Sequence, residues 1–358
     1  MSLSSNPRRQ HRFQPQDAAS YCRCRAFTLV EMLVTLSVLS ILLLVIFSII
    51  NQTSSMWTRT SRNVKQFQSA RVAFQTLTRL LSEATLNTYY GVTYAGGKPT
   101  RYDRASDLHF VSGTPLATGL NAASGPGSQI SHAVFFQAPL GNTDLPAKYG
   151  RLDSLLCVCG FYIQYAQEAG RPTFLEAMPS VPTKAWRFRL MQLVQPTESF
   201  PVYSNTTGNG WIKNMMTAPA AGTWVHEIAD NVVALVIMPV DPTPAATSIA
   251  PNFDYDTRIN GAIPAQMPGT LAQLPPVVEV VMVVIDEKSL LKLGNPATPP
   301  NFGQATLFKS AAMLEADLAT LQANLNASPG NAAGNRISLE SRVFRTRVAL
   351  RGAKWTTE

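Results

Sequence analysis

The side chains able to do chemistry are few, and most stand alone. Four histidines, His11, His109, His132 and His226, are scattered over 358 residues, and none belongs to an HExxH or another ligand-spaced pair. No G-x-S-x-G elbow presents a serine nucleophile and no P-loop cradles a phosphate; Gly-Pro-Gly at 125–127 reads as a turn. Cys157 and Cys159 are spaced C-x-C, which on a strand sets both on one face. Redox motifs use C-x-x-C, so thiol catalysis is poorly supported. A strained Cys157–Cys159 bridge and a pair of buried thiols both remain open, with buried thiols the better reading. Asn252-Phe253-Asp254-Tyr255-Asp256 is acidic enough to suggest calcium, but it lacks the D-x-D-x-D-G…E frame and reads as a solvated loop. No catalytic set, metal or cofactor is expected from these residues.

One acid is out of place. Phe27 to Ile50, FTLVEMLVTLSVLSILLLVIFSII, is apolar over 24 residues and carries one charge, Glu31. A helix of that length spans ~36 Å at 1.5 Å per residue, enough for a bilayer core of ~30 Å. A carboxylate in such a span costs a few kcal/mol, so it needs the headgroup region or a cation to meet it. The stretch is too long for the core of a cleaved signal peptide, and NQTSSMW follows it in place of a small-residue cleavage site. An ordinary signal anchor is the other simple reading.

Charge supports a membrane topology. The formal net charge is +8, and residues 1–26 hold five arginines against Asp17, a net of +4. That basic flank should stay cytoplasmic, with residues 51–358 outside. The rest of the chain is nearly balanced and has no basic run interleaved with aromatics, so no nucleic-acid partner is expected. Only 15% of residues are charged and 46% are hydrophobic, too greasy for a disordered chain, while four cysteines in this length make no disulfide scaffold.

Ala26-Phe27-Thr28-Leu29-Val30-Glu31 resembles the processing site of type IV prepilins, a small residue followed by F-T-L-x-E opening a hydrophobic helix. The resemblance implies cleavage between Ala26 and Phe27 by prepilin peptidase and methylation of the new terminus, Phe27. It also implies that Glu31 pairs with a neighbouring subunit's terminal amine during filament assembly. The family usually has Gly before the cut; Ala26 is the nearest residue in size. Cys22 and Cys24 would leave with the leader, from the reducing side.

Downstream, Trp57, Val64, Phe67, Ala70, Phe74, Leu77, Leu81 and Ala84 recur largely at helical spacing, with Arg59, Arg62, Lys65, Arg71 and Arg79 on the opposite face. No Gly or Pro interrupts Phe27 through Tyr90, so one long helix is expected, stopped at Gly91 and softened at Asn51–Ser55. Strands are expected at Asp107–Ser112, Ala133–Ala138, Leu155–Ala166, Ala185–Gln195, Trp224–Pro239, Pro276–Asp286 and Arg342–Arg351, and a short helix at Ala311–Asn324. Long loops fall near 113–131, 196–223, 240–275 and 293–307.

The order predicts an α+β fold: a basic leader (1–26), a transmembrane half-helix (27–50), an amphipathic half-helix (51–90) and a β-rich head (91–358) with the helix packed on an antiparallel sheet. It is similar to the large J-type minor pseudopilins in RVAFQTLTRLLSEA, LPPVVEVVMVVI and the closing VFRTRVALRGAKW. WRFRLMQLVQPTE with Phe-Pro-Val-Tyr resembles more narrowly the Verru_Chthon cassette protein C group. The resemblance implies a structural subunit at or near the tip of a type II secretion or type IV pilus-like filament, where a head with such loops would not crowd neighbours. Its implied partners are prepilin peptidase, other pilin subunits and the inner membrane. The alternative is a signal-anchored periplasmic or surface binding protein that never enters a filament.

Overall fold

A computed structural model describes residues 28–120, 128–168, 172–176, 178, 184–204, 208–217, 221–243, 248–258, 269–287, 293–304, 306–327 and 338–355. The chain divides into two units, residues 1–60 and 61–358. One helix, α1 (Leu29–Ser82), contributes to both. It runs unbroken through Asn51–Ser55, so these weak helix formers do not interrupt it.

In the first unit, residues 28–57 are all exposed. In the second, the stripe read from the sequence is buried: Phe67, Ala70, Phe74, Leu77, Leu81 and Ala84 join the main core. Trp57, assigned to the same stripe, is instead exposed. Arg71 and Arg79 face solvent, as the amphipathic pattern requires.

The helix ends eight residues before the expected stop. Ser82 closes α1, and Gly91 lies inside a hairpin of β1 (Tyr89–Ala95) and β2 (Lys98–Ala105). The reason is local competition for hydrogen bonds. The Thr85 amide bonds the Gln137 carbonyl, and Asn87 Oδ1 accepts the amides of Asp107 and Leu108. Tyr89 and Tyr90 then favour extended backbone.

The remaining strands are β3 (Val111–Gly113), β4 (Ser128–Pro139), β5 (Leu156–Gln167), β6 (Trp186–Gln195), β7 (Val225–Asp230), β8 (Val232–Val240), β9 (Tyr255–Asp256), β10 (Val277–Ile285) and β11 (Ser341–Ala349). The single sheet expected from the pattern is in fact three, all antiparallel: the β1–β2 ribbon, a six-stranded sheet in the order β7-β6-β5-β4-β3-β9, and a three-stranded sheet in the order β11-β10-β8. The run Trp224–Pro239, expected as one strand, is two. Asn231 takes φ 63°, a left-handed conformation Asn tolerates, and the chain passes there from the first sheet to the second. Asp107–Ser112 is mostly not strand, because side chains replace its ladder: the His109 amide bonds Gln137 Oε1 and the Phe110 amide bonds Thr257 Oγ1.

The six-stranded sheet is buried on both faces. Phe136, Phe161, Ile163, Phe188 and Leu190 point into the main core with α1 and the three-stranded sheet. Phe135, Val158, Tyr162 and Leu193 point into a second core with Trp211, Ile212 and Met215 of helix α2 (Gly210–Thr217). That helix falls in a segment read as loop; its apolar pairs at 211/212 and 215/216 are the helical signal. A third helix, α3 (Leu314–Asn326), presents Leu314, Leu318, Leu321 and Leu325 to the main core at regular helical spacing.

Candidate functional site

Thr28 opens α1. Its Oγ1 accepts the Glu31 amide at 3.2 Å, the N-cap to N3 bond of a T-x-x-E capping pattern. A carboxylate at N3 is also favoured by the helix dipole. This role for Thr28 and Glu31 was legible in the spacing alone. Ala26 and Phe27, the residues flanking the expected cut, lie outside the described residues.

From Leu29 to Trp57 the helix has a mean hydropathy of 3.0, none of it is buried, and Glu31 is its one charged side chain. Burying a large apolar side chain is favourable by ~1.5–3 kcal/mol, so an uncovered surface of this kind requires lipid or other apolar helices. Its polar groups are already satisfied from within. The hydroxyls of Thr35, Ser37 and Ser40 donate to the carbonyls of Met32, Val34 and Leu36. Such internal bonds suit a helix that leaves water. Glu31 alone lacks an internal neutralising partner of that sort among the described side-chain hydrogen bonds and ion pairs of this segment.

The other chemistry-bearing residues are not brought together into a site. Cys157 and Cys159 are free thiols, both wholly buried on β5, so the structure has the thiol alternative. Burial pushes the Cys159 thiol above its usual range, away from the reactive thiolate. Cys157 Sγ lies 3.3 Å from the Asn142 carbonyl. His226 is exposed on β7.

His109 is buried in a closed relay. The Trp211 Nε1–H donates to His109 Nδ1 at 2.8 Å, and His109 Nε2 meets Asp256 Oδ1 at 2.7 Å. Trp can only donate, so Nδ1 must be the acceptor and Nε2 carries the proton. Burial lowers the basicity of this imidazole. Both nitrogens are occupied, and no ring atom is offered to a substrate.

The acidic stretch at 252–256 is used internally. Asp254 Oδ1 accepts the Thr114 amide and hydroxyl, while Asp256 Oδ1 also accepts the Arg258 amide. No group of three or more His, Cys, Asp or Glu suited to a metal occurs among the described residues.

Two polar clusters escaped the sequence reading because their members are far apart in the chain. Glu279 on β10 is buried and bonds Arg345 and Arg347 of β11. On β6, the buried Arg189 bonds Glu227 at 2.7 Å and Asp230 at 3.3 Å from β7. Burial first, then the Asp230 carboxylate, pushes Glu227 up to about 7.

Residues 21–47 match the prokaryotic N-terminal methylation motif. No curated protein and no solved structure matches the chain. The motif overlaps the cap at Thr28, the acid at Glu31 and the start of the exposed apolar helix. Together these features are those of a type IV prepilin-like protein, a structural pilin-type subunit with a membrane anchor. A motif of this kind implies processing by prepilin peptidase and assembly with other pilin subunits.

Proposed function

We propose that this chain is a minor pseudopilin, cut between Ala26 and Phe27, methylated on Phe27 and built into a type II secretion or type IV pilus-like filament at or near its tip. The observation that carries this reading is the uncovered helix Leu29–Trp57 with its lone carboxylate, set within and beyond the methylation motif. An apolar rod bearing one acid near its start is suited to lipid before assembly and to a bundle of like helices after it. Glu31 would take the terminal amine of a neighbouring subunit, since a buried carboxylate is tolerable when a cation reaches it. The basic leader would hold the N-terminus in the cytoplasm and the head in the periplasm or outside the cell. The many-stranded head supports a tip position, because it would crowd the side of a repeating filament.

Mass spectrometry of the mature protein tests the reading. An N-methylated Phe27 at the terminus is the expected result. An intact Met1, or a cut beyond residue 50, would overturn it.

A further inference from the structure

The two main sheets are joined at an unusual place. Three residues of β4, Ser131, His132 and Ala133, interrupt its pairing with β5, whose register resumes from Ile130↔Ile163 to Val134↔Phe161. In this bulge the strand turns towards β8, and its side chains do the work of a strand ladder. Ser131 Oγ donates to the Leu235 carbonyl at 2.6 Å and accepts the Leu235 amide at 2.8 Å. His132 Nδ1 accepts the Ile237 amide at 3.2 Å, and His132 Nε2 meets the Phe308 carbonyl at 3.1 Å.

These partners fix the protonation of the ring. A carbonyl accepts and an amide donates, so Nε2 carries the proton and Nδ1 does not. A second proton, on Nδ1, would face the Ile237 N–H, donor against donor. It would also place a cation in a wholly buried site.

No anion is bonded to the ring to receive that charge. Ser131 and Ala133 on its own strand are uncharged, and β8 has no charged residue. Lys309, beside Phe308, is a cation and opposes protonation. Asp317 of α3 accepts the Phe308 amide, Asp254 is held by Thr114 and Asn252, and Glu279 of β10 is held by Arg345 and Arg347.

The same spot gathers backbone strain. Ser131 has φ 67°, Phe308 φ 59° and Phe253, whose ring lies 4.8 Å from His132, φ 68°. Left-handed backbone is unfavourable for bulky side chains and persists only where surrounding contacts impose it. Three of the five such non-glycine residues among those described therefore lean on one imidazole.

We propose that Ser131 and His132 form an acid-operated joint, in which protonation of His132 releases β8 and the Phe308 segment from β4 while the six-stranded sheet holds. The proton comes from solvent and goes to Nδ1, and the Ile237 amide loses its acceptor. Burial pushes His132 down to about 4, against 6.5 for a free imidazole. Opening is therefore coupled to uptake of one proton between those values, and its equilibrium constant rises by up to about tenfold per pH unit of acidification there.

Hydrogen exchange on the full chain in detergent micelles, from pH 7 to pH 4 and corrected for intrinsic exchange, reads this directly. Peptides holding Leu235–Ile237 and Phe308 are expected to lose protection with that slope, while peptides from β5 and β6 keep theirs. The His132→Gln variant keeps one donor and one acceptor but does not titrate, and its response is expected to be flat. An equally steep response in H132Q, or loss of protection throughout the head at once, would overturn the proposal. If H132Q does not fold, ring-carbon NMR of 13C-histidine-labelled wild-type chain decides instead: a His132 midpoint below pH 5 supports the joint, and one at 6–7 refutes it.

Discussion

Glu279 stands directly opposite Arg347 across the β10–β11 ladder, and its second oxygen takes Arg345, two residues nearer the strand's start. Arg345 reaches on to Glu315 of α3 at 2.6 Å. A buried carboxylate thus holds two arginines of the edge strand, one of them shared with a helix. Because both guanidinium groups reach water, solvent screens part of the interaction. Glu279→Ala is expected to destabilise the head by about 2 kcal/mol, below the 3–5 of a fully enclosed pair. Urea unfolding of the full chain in micelles would measure it, and an unchanged midpoint would show the network to be idle.

The two parts of α1 should answer differently to truncation. Leu77 and Leu81 are wholly buried in the main core, so either one changed to Ala should cost about 2–5 kcal/mol of head stability. Trp57→Ala, on the exposed stretch, should leave the head's unfolding midpoint unchanged.

Glu31→Ala should leave the head folded and the precursor membrane-bound, yet exclude the subunit from filaments. Co-purification with partner pilins, compared with wild type, is the readout. Normal incorporation of the variant would remove the assembly role assigned to this acid.

Glu227 gives a pH dependence of known sign. Its folded value of about 7 lies above the unfolded 4.5, so the folded state holds the extra proton between them. Stability from this group is full below about 4.5 and is lost as pH rises through about 7. Glu227→Gln should therefore raise the Tm relative to wild type at pH 8 and change it little at pH 5. Equal effects at both pH values would contradict the assignment.

Cys157 and Cys159 should resist maleimide in the native chain and both react, without reductant, once it is denatured. A chain that takes up no label at these positions under non-reducing denaturation would instead contain the bridge.

The sequence by itself determined what depends on neighbours along the chain. The anchor, its acid, the capped helix start and the buried stripe from Phe67 to Ala84 are local patterns of hydropathy and spacing, and a helix keeps such neighbours on one face whatever surrounds it. Most strands were legible for the same reason. Tertiary structure decided what depends on residues far apart. Thr85 is drawn off the helix by Gln137, Asn231 sends the chain into a second sheet, and Ser131 and His132 leave β5 to bond Leu235 and Ile237. In each case a buried polar group took the partner that packing offered. That partner lay about 50 to 105 residues away, or in another sheet, where no periodicity could announce it.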